Sequence, residues 1–225
     1  MNSIIVTGAN RGLGKNIHDL LAHEKISETN CYFTSRVPVT SPEKLFKYFI
    51  VDFNKSDIKK PGIEVGSPGD TVIYINNAGM IEPIGKAKDI TISDLECSLR
   101  VNCTGPLALA QNLVIQTKSV GARLFILNIS SGAATHPVDG WLAYCTSKAA
   151  ALMAFDVLAS ENVHVEVKHF DPGAMDTDMQ KLIRTQSTDL MPDVQKFRDL
   201  KDKQVLKCPN EVAMEIISII KEIIS

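Results

Sequence analysis

The stretch Thr7-Gly8-Ala9-Asn10-Arg11-Gly12-Leu13-Gly14 constrains the fold of this 225-residue chain more than any other. It follows a β-branched run, Ile4-Ile5-Val6. It leads into Leu13, Ile17, Leu20 and Leu21, whose i, i+4, i+7, i+8 spacing marks one helical face. A strand that turns on glycines into a helix brings its backbone close to a ligand, with no Cβ in the way. The helix N-terminus then offers free N–H groups and partial positive charge to a pyrophosphate. The spacing is Gly-x-x-x-Gly-x-Gly and not the general Gly-x-Gly-x-x-Gly fingerprint. A triphosphate-binding loop does not fit, because Ala9 stands where its first glycine belongs and Asn16 replaces the magnesium-binding Ser/Thr after Gly14-Lys15.

Apolar runs at residues 31–34, 48–51, 71–75, 123–127 and 163–170 read as further strands, and 93–118, 141–160 and 209–224 read as helices. Nearly continuous apolar strands alternating with helices predict an α/β fold: a Rossmann-type doubly wound parallel sheet of six strands, with helices on both faces. No repeat or Gly/Ser linker divides the chain, so residues 1–225 are expected to form one domain. The connections flanking the third strand are short, and residues 55–70 carry Pro61, Gly62, Gly66, Pro68 and Gly69, which leaves little room for crossover helices.

Composition excludes several classes. Lys+Arg of 24 against Asp+Glu of 26 gives a net charge of −2, against a general nucleic-acid binder. With 44% hydrophobic and 22% charged residues, the chain is neither disordered nor a membrane bundle. The most apolar helix is broken by Lys221 and Glu222, so no membrane partner is expected. Five cysteines without a Cys-x-x-Cys pair, and an N-terminus without a signal sequence, point to free thiols and a cytoplasmic address. The histidines have no ligand spacing, and no metal is expected.

An acidic residue about 20 positions past the glycines would bind the ribose 2′-hydroxyl of NAD. This chain has Thr34-Ser35-Arg36 there. Arg36 can instead fork onto a 2′-phosphate, and Arg11 can add a second positive charge, so the expected cofactor is NADP(H). Farther along, Tyr144 and Lys148 lie at i and i+4 of one helix, which brings phenol and ammonium to the same face. The ammonium favours the phenolate, drawing the phenol toward a useful working range. Ser130-Ser131-Gly132 follows the fifth strand, at the sheet edge where such folds place ligands.

With the glycine turn, Asp52, Asn76-Asn77-Ala78-Gly79, Asn102, Asn128-Ile129-Ser130-Ser131, Tyr144-x-x-x-Lys148 and Asp171-Pro172-Gly173-Ala174-Met175-Asp176-Thr177, in that order, the chain resembles the short-chain dehydrogenase/reductase family from residue 4 to about 180. The resemblance implies a tetrad. Tyr144 gives the proton to the carbonyl oxygen, Ser131 holds that oxygen, Lys148 binds the ribose and tunes Tyr144, and Asn102 anchors a relay water. Pro106 adds a reason of its own: lacking an N–H, it cannot bond the Asn102 carbonyl. The resemblance also implies cofactor contacts from Gly8, Asn10, Arg11, Gly12, Leu13, Gly14, Asp52, Phe53, Asn76, Asn77, Ala78, Gly79, Asn102, Tyr144, Lys148, Pro172, Gly173 and Thr177. Asp52 also fits a turn cap, and Pro172-Gly173 a strand end.

Residues 174–206, with Met175, Met179, Leu182 and Met191, are expected to form a long substrate loop with an adaptable apolar face. Trp141 belongs at the pocket mouth or in the core. Met80-Ile81-Glu82-Pro83 and Gly140-Trp141 are similar to the sepiapterin reductase and benzil reductase branch, which implies a bulky or aromatic ketone or diketone. The family normally adds a seventh strand, which is missing from this pattern. A homodimer through residues 93–118 and 141–160 is expected; a tetramer is left open. The reading that results is an NADPH-dependent carbonyl reductase. An NAD(P)-dependent alcohol dehydrogenase working oxidatively, and a non-catalytic NADP(H) sensor on the same fold, are the alternatives.

Overall fold

The structure is a computed structural model that describes residues 1–24, 26, 29–38, 44–55, 63 and 65–225. Pro61 and Gly62, read as part of a short connection, lie outside the described residues. The described residues form six strands: β1 (Asn2–Thr7), β2 (Thr29–Ser35), β3 (Phe46–Ile50), β4 (Thr71–Asn76), β5 (Arg123–Ile129) and β6 (Val165–Phe170). They form one parallel sheet in the order β3-β2-β1-β4-β5-β6. The order reverses between β1 and β4, and a ligand crevice opens at the carboxyl ends there. Among the described residues no seventh strand flanks β6, and neither connection around β3 contains a helix.

Side chains alternate across the sheet with the period of two that strands impose. Ile4, Val6, Phe33, Ile73, Ile75 and Leu127 face one layer, formed by α1 (Gly12–Glu24) and α7 (Pro209–Ile224). Helix α7 buries Val212, Ala213, Ile216, Ile217 and Ile220 along a single stripe. Ile5, Tyr32, Val72, Tyr74, Leu124 and Ile126 face the opposite layer, which includes α3 (Gly105–Val120) and α4 (Leu142–Ser160).

The stretch expected as one helix from 93 to 118 is three pieces. Helix α2 (Ile92–Leu99), capped by a Thr91–Asp94 box, passes through a wide π turn at Arg100–Thr104 into α3. The Gly105 N–H reaches back five residues to the Arg100 carbonyl. Pro106 has no N–H to continue the ordinary ladder, and the turn widens next to it, as such turns often do at functional sites. Residues 174–206 are not a plain loop either. They hold α5 (Asp178–Arg184) and α6 (Val194–Asp202). The Thr177 hydroxyl accepts the Gln180 N–H at 3.4 Å to start α5. Lys201 and Arg184 both pair with Asp176, at 2.7 and 3.7 Å.

One row of the sheet is polar. Asn76, Asn128 and His169 are register partners on β4, β5 and β6. Asn76 Nδ2 donates to Asn128 Oδ1 at 2.8 Å, and Asn128 Nδ2 pairs with His169 Nδ1 at 3.0 Å. His169 Nε2 meets Asp156 of α4 at 2.9 Å, and the Tyr74 hydroxyl donates to Asn76 Oδ1 at 3.3 Å. Both asparagines are buried, so a missing member leaves its partners unpaired. Asn128→Ala is therefore expected to cost about 1–3 kcal/mol of unfolding free energy, read by urea denaturation; an unchanged midpoint would show that the row carries no stability.

Candidate active site

The cofactor side of the site begins where β1 turns into α1. Gly8 and Ala9 donate their N–H groups to the Thr34 carbonyl at 2.8 and 3.1 Å, which fastens the turn to the end of β2. Gly8 has φ 72° and Gly12 φ 53°, both in the left-handed region. A Cβ on Gly14 would lie 2.2 Å from the Gly8 carbonyl oxygen, so nothing larger fits. Asn77 locks the turn from β4: its Nδ2 donates to the Thr7 carbonyl at 2.8 Å, and its N–H and that of Ala78 both donate to Thr7 Oγ1 at 3.0 Å. A Cβ on Gly12 would stand 3.7 Å from the Thr177 methyl, which sets the segment after β6 across from the glycine turn. This cradle of bare backbone fits a dinucleotide pyrophosphate. Leu13 buries its side chain in the core and offers the crevice only backbone.

Arg11 and Arg36 are exposed at adjacent strand ends, and Asn10 is exposed between the glycines. Asp52 turns its carboxylate to the Asn54 N–H at 3.0 Å, the turn-capping role its sequence context allowed. Phe53 is core: its ring meets the space a Cβ on Gly105 would occupy, so only its backbone is free to face an adenine. Pro172 is buried beyond β6, and Gly173 has φ 71° with its N–H donated to the Asp171 carboxylate at 2.9 Å.

Tyr144 and Lys148 lie one turn apart on α4, and both are more than nine-tenths buried. Lys148 Nζ sits 5.8 Å from the Tyr144 ring centre and donates to the Ile129 carbonyl, at the end of β5, at 2.8 Å. Ser131, two residues farther on, opens a short 3-10 turn over Gly132–Ala134 and accepts the Ala133 N–H at 3.2 Å. Its hydroxyl is close enough to the Tyr144 phenol to influence it. Ser130 is the more buried neighbour, its N–H bonded to the Phe170 carbonyl. A Cβ on Gly79 would lie 3.3 Å from Asn102 Oδ1 and 3.9 Å from Lys148 Nζ, so the segment after β4 forms the floor between them.

The Asn102 amide is fully engaged by protein. Oδ1 accepts the Met80 N–H at 2.8 Å, while Nδ2 donates to the Met80 carbonyl at 2.8 Å and to Ser147 Oγ at 2.9 Å. Ser147 in turn donates to the Tyr144 carbonyl at 2.9 Å. The side chain thus ties the cofactor floor to α4, and the backbone carbonyl is the group Pro106 deprives of an N–H. Met80 and Asp171 were quoted in the sequence only as members of motifs, and Ser147 was given no role. Ser147 carried a signal, being a hydroxyl beside Lys148 on the same helix; Met80 acts through its backbone, which no side chain reveals.

Burial outweighs charge in this cluster. It pushes the Tyr144 phenol up to about 12, with Ser131 opposing and the charges of Asp171 and Cys145 adding. Burial also drives the Lys148 ammonium down to about 8, with Asp171 opposing. At neutral pH the phenol stays protonated, the form able to give a proton.

This crevice and its Ser–Tyr–Lys cluster define a dinucleotide-dependent oxidoreductase. The chain belongs to the short chain dehydrogenase family, whose model matches residues 2–188. It is 32% identical to a benzil reductase ((S)-benzoin forming) of Bacillus subtilis, over 99% of this chain and 94% of that one. It is 29% identical to the sepiapterin reductase of Xenopus tropicalis, over 88% and 83%. A solved short chain dehydrogenase/reductase from Saccharomyces cerevisiae superposes with a TM-score of 0.78 at 25% identity, covering 93% of this chain and 86% of that one. The protein is an NAD(P)-dependent oxidoreductase acting on small molecules.

Lys148 gives the cluster a pH signature. The folded protein releases this proton near 8 and the unfolded chain near 10.5, so the unfolded state holds more protons between them and stability rises with pH across that window. Tyr144 acts oppositely, but only above its ordinary value of 10.0. The stability advantage of Lys148→Met over the parent is expected to shrink between about pH 8 and about pH 10, by up to about 1.4 kcal/mol per unit. Urea denaturation at several pH values measures it, and a constant difference would mean that Lys148 is not held down by burial.

Proposed function

We propose that the chain reduces a ketone or other carbonyl to the alcohol with NADPH, using Asn102, Ser131, Tyr144 and Lys148. The observation that carries this reading is the grouping of Ser131, just past the end of β5, with the buried Tyr144 and Lys148 of α4, whose ammonium is held by the Ile129 carbonyl. Two hydroxyls brought to one sheet edge suit a carbonyl oxygen on which negative charge develops, because dipoles fixed before the reaction begins stabilise that charge. When bound, NADPH supplies the hydride to the carbonyl carbon. Tyr144 then gives its proton to the oxygen while Ser131 holds that oxygen in place. Lys148 presents an ammonium beside the phenol, anchored by the Ile129 carbonyl, and its charge steadies the phenolate left behind. The Asn102 backbone carbonyl is the anchor for water that restores the proton.

Preference for NADPH rests on Arg11 and Arg36 at adjacent strand ends, where a 2′-phosphate would lie. The remaining cofactor contacts follow the cradle: Gly8, Asn10, Gly12, Leu13 and Gly14 at the pyrophosphate, Asp52 and Phe53 at the adenine, Asn76, Asn77, Ala78 and Gly79 behind β4, and Pro172, Gly173 and Thr177 at the nicotinamide. A bulky or aromatic ketone or diketone suits the apolar cluster of Ile81, Trp141, Ile183, Met191 and Val194 beside Tyr144. The named reductase relatives favour the same class. Residues 1–225 act in this reading as one domain in the cytoplasm, in keeping with five free cysteines. A second copy would cover the groove of Leu107, Ala150, Met153, Ala154 and Val157 between α3 and α4.

Tyr144→Phe is expected to lower kcat with benzil by about 10²–10⁴-fold while NADPH still binds, as followed by reduced-nicotinamide fluorescence. Retained turnover would remove Tyr144 from the chemistry. Arg36→Asp is expected to weaken NADPH binding by about 10–100-fold, the loss of one charge-assisted hydrogen bond, and to leave NADH binding no weaker. An unaltered NADPH/NADH ratio in the same titration would refute the phosphate role.

A further inference from the structure

Trp141, the one tryptophan of the chain, directly precedes α4 and is only 6% exposed, yet its indole N–H has no hydrogen-bond partner among the described residues. Leaving a buried donor unpaired is costly, and native structures do so rarely without a reason. The surroundings offer no substitute. Ile81, Ile183, Met191 and Val194 pack with it in one apolar cluster, and the Phe197 ring lies 5.2 Å away, tilted by 40°. A resident water would need two or more polar partners, which these apolar side chains do not supply. The Tyr144 ring stands edge-on to the indole with centroids 5.6 Å apart. The ring that carries the unpaired donor therefore touches the ring of Tyr144, the phenol to which the proposed function assigns the carbonyl.

We propose that the Trp141 indole N–H is a specificity donor that binds the second oxygen of a substrate with two adjacent carbonyl groups, while Ser131 and Tyr144 hold the first. This rests on the carbonyl-reductase reading above and names its substrate class as dicarbonyls. Oxygens on neighbouring carbons match donors on two touching rings. A monocarbonyl substrate fills the same apolar cluster but leaves the N–H unpaired, and a site built around a hydrogen bond discriminates against the ligand that lacks it. The N–H is buried, so the substrate reaches it by displacing a neighbour in the cluster, such as the Phe197 ring packed on the indole. Binding exchanges a buried orphan for a paired donor.

Benzil and deoxybenzoin, which differ by one oxygen, test the idea. In Trp141→Phe the benzil-to-deoxybenzoin ratio of kcat/KM is expected to fall about tenfold, the loss of one hydrogen bond; a purely structural ring would lower both substrates together. A second reading needs neither turnover nor a variant. Because the chain has one tryptophan, it gives one indole N–H signal in a nitrogen–proton correlation spectrum. With NADP⁺ present, that proton is expected to move downfield on adding benzil and to stay in place with deoxybenzoin. An unchanged ratio in the variant, or equal responses of the indole proton to the two ketones, would overturn the proposal. If the wild type oxidised no NADPH with either ketone, the carbonyl-reductase reading would fail, while the indole signal would still decide the role of Trp141.

Discussion

The amide of Asn102 is the joint on which the site depends. Its pairing with both backbone groups of Met80 and with Ser147 holds three separate parts of the chain together: the floor after β4, the π turn between α2 and α3, and the helix carrying Tyr144 and Lys148. Together with the Ser98–Ala143 and Lys148–Ile129 hydrogen bonds, it fixes the cofactor cradle relative to the helix carrying Tyr144. The Asn77 clamp on Thr7 does the same for the glycine turn. A catalytic geometry tolerates errors of only a fraction of an ångström, and fully satisfied buried amides are a means of holding it.

The electrostatics follow from where α4 lies. Tyr144 and Lys148 are pressed against the carboxyl end of the sheet, so desolvation governs both, keeping the phenol protonated and weakening the ammonium. The lysine was expected to draw the phenol down, but its head group is turned to the Ile129 carbonyl and burial dominates. A protonated phenol is the resting form suited to reduction.

Much of this was legible in the sequence, because the signals were local. The glycine turn, the strand runs and the four-residue step from Tyr144 to Lys148 follow from backbone geometry alone. A kink or helix end at Pro106 was the alternative to the water-anchor reading of Asn102, and the structure has a π turn beside it. The helices within residues 174–206 were missed because that region is polar and methionine-rich, but Thr177 followed by Gln180 is a cap signature. The side chain of Phe53 is core, packed against Gly105, which sequence alone did not reveal and which leaves only its backbone to face a cofactor. The orphaned Trp141 N–H could not be read at all, because whether a donor has a partner is a property of the packed state.

The central claim is that a hydride passes to a carbonyl carbon held at Tyr144 and Ser131. The most direct measurement supplies benzil with NADPH deuterated at its transferable position and analyses the product by mass spectrometry and proton resonance. The account predicts one deuterium on the carbinol carbon for each NADPH consumed. An alcohol without that deuterium, or NADPH consumed without an alcohol, would contradict it.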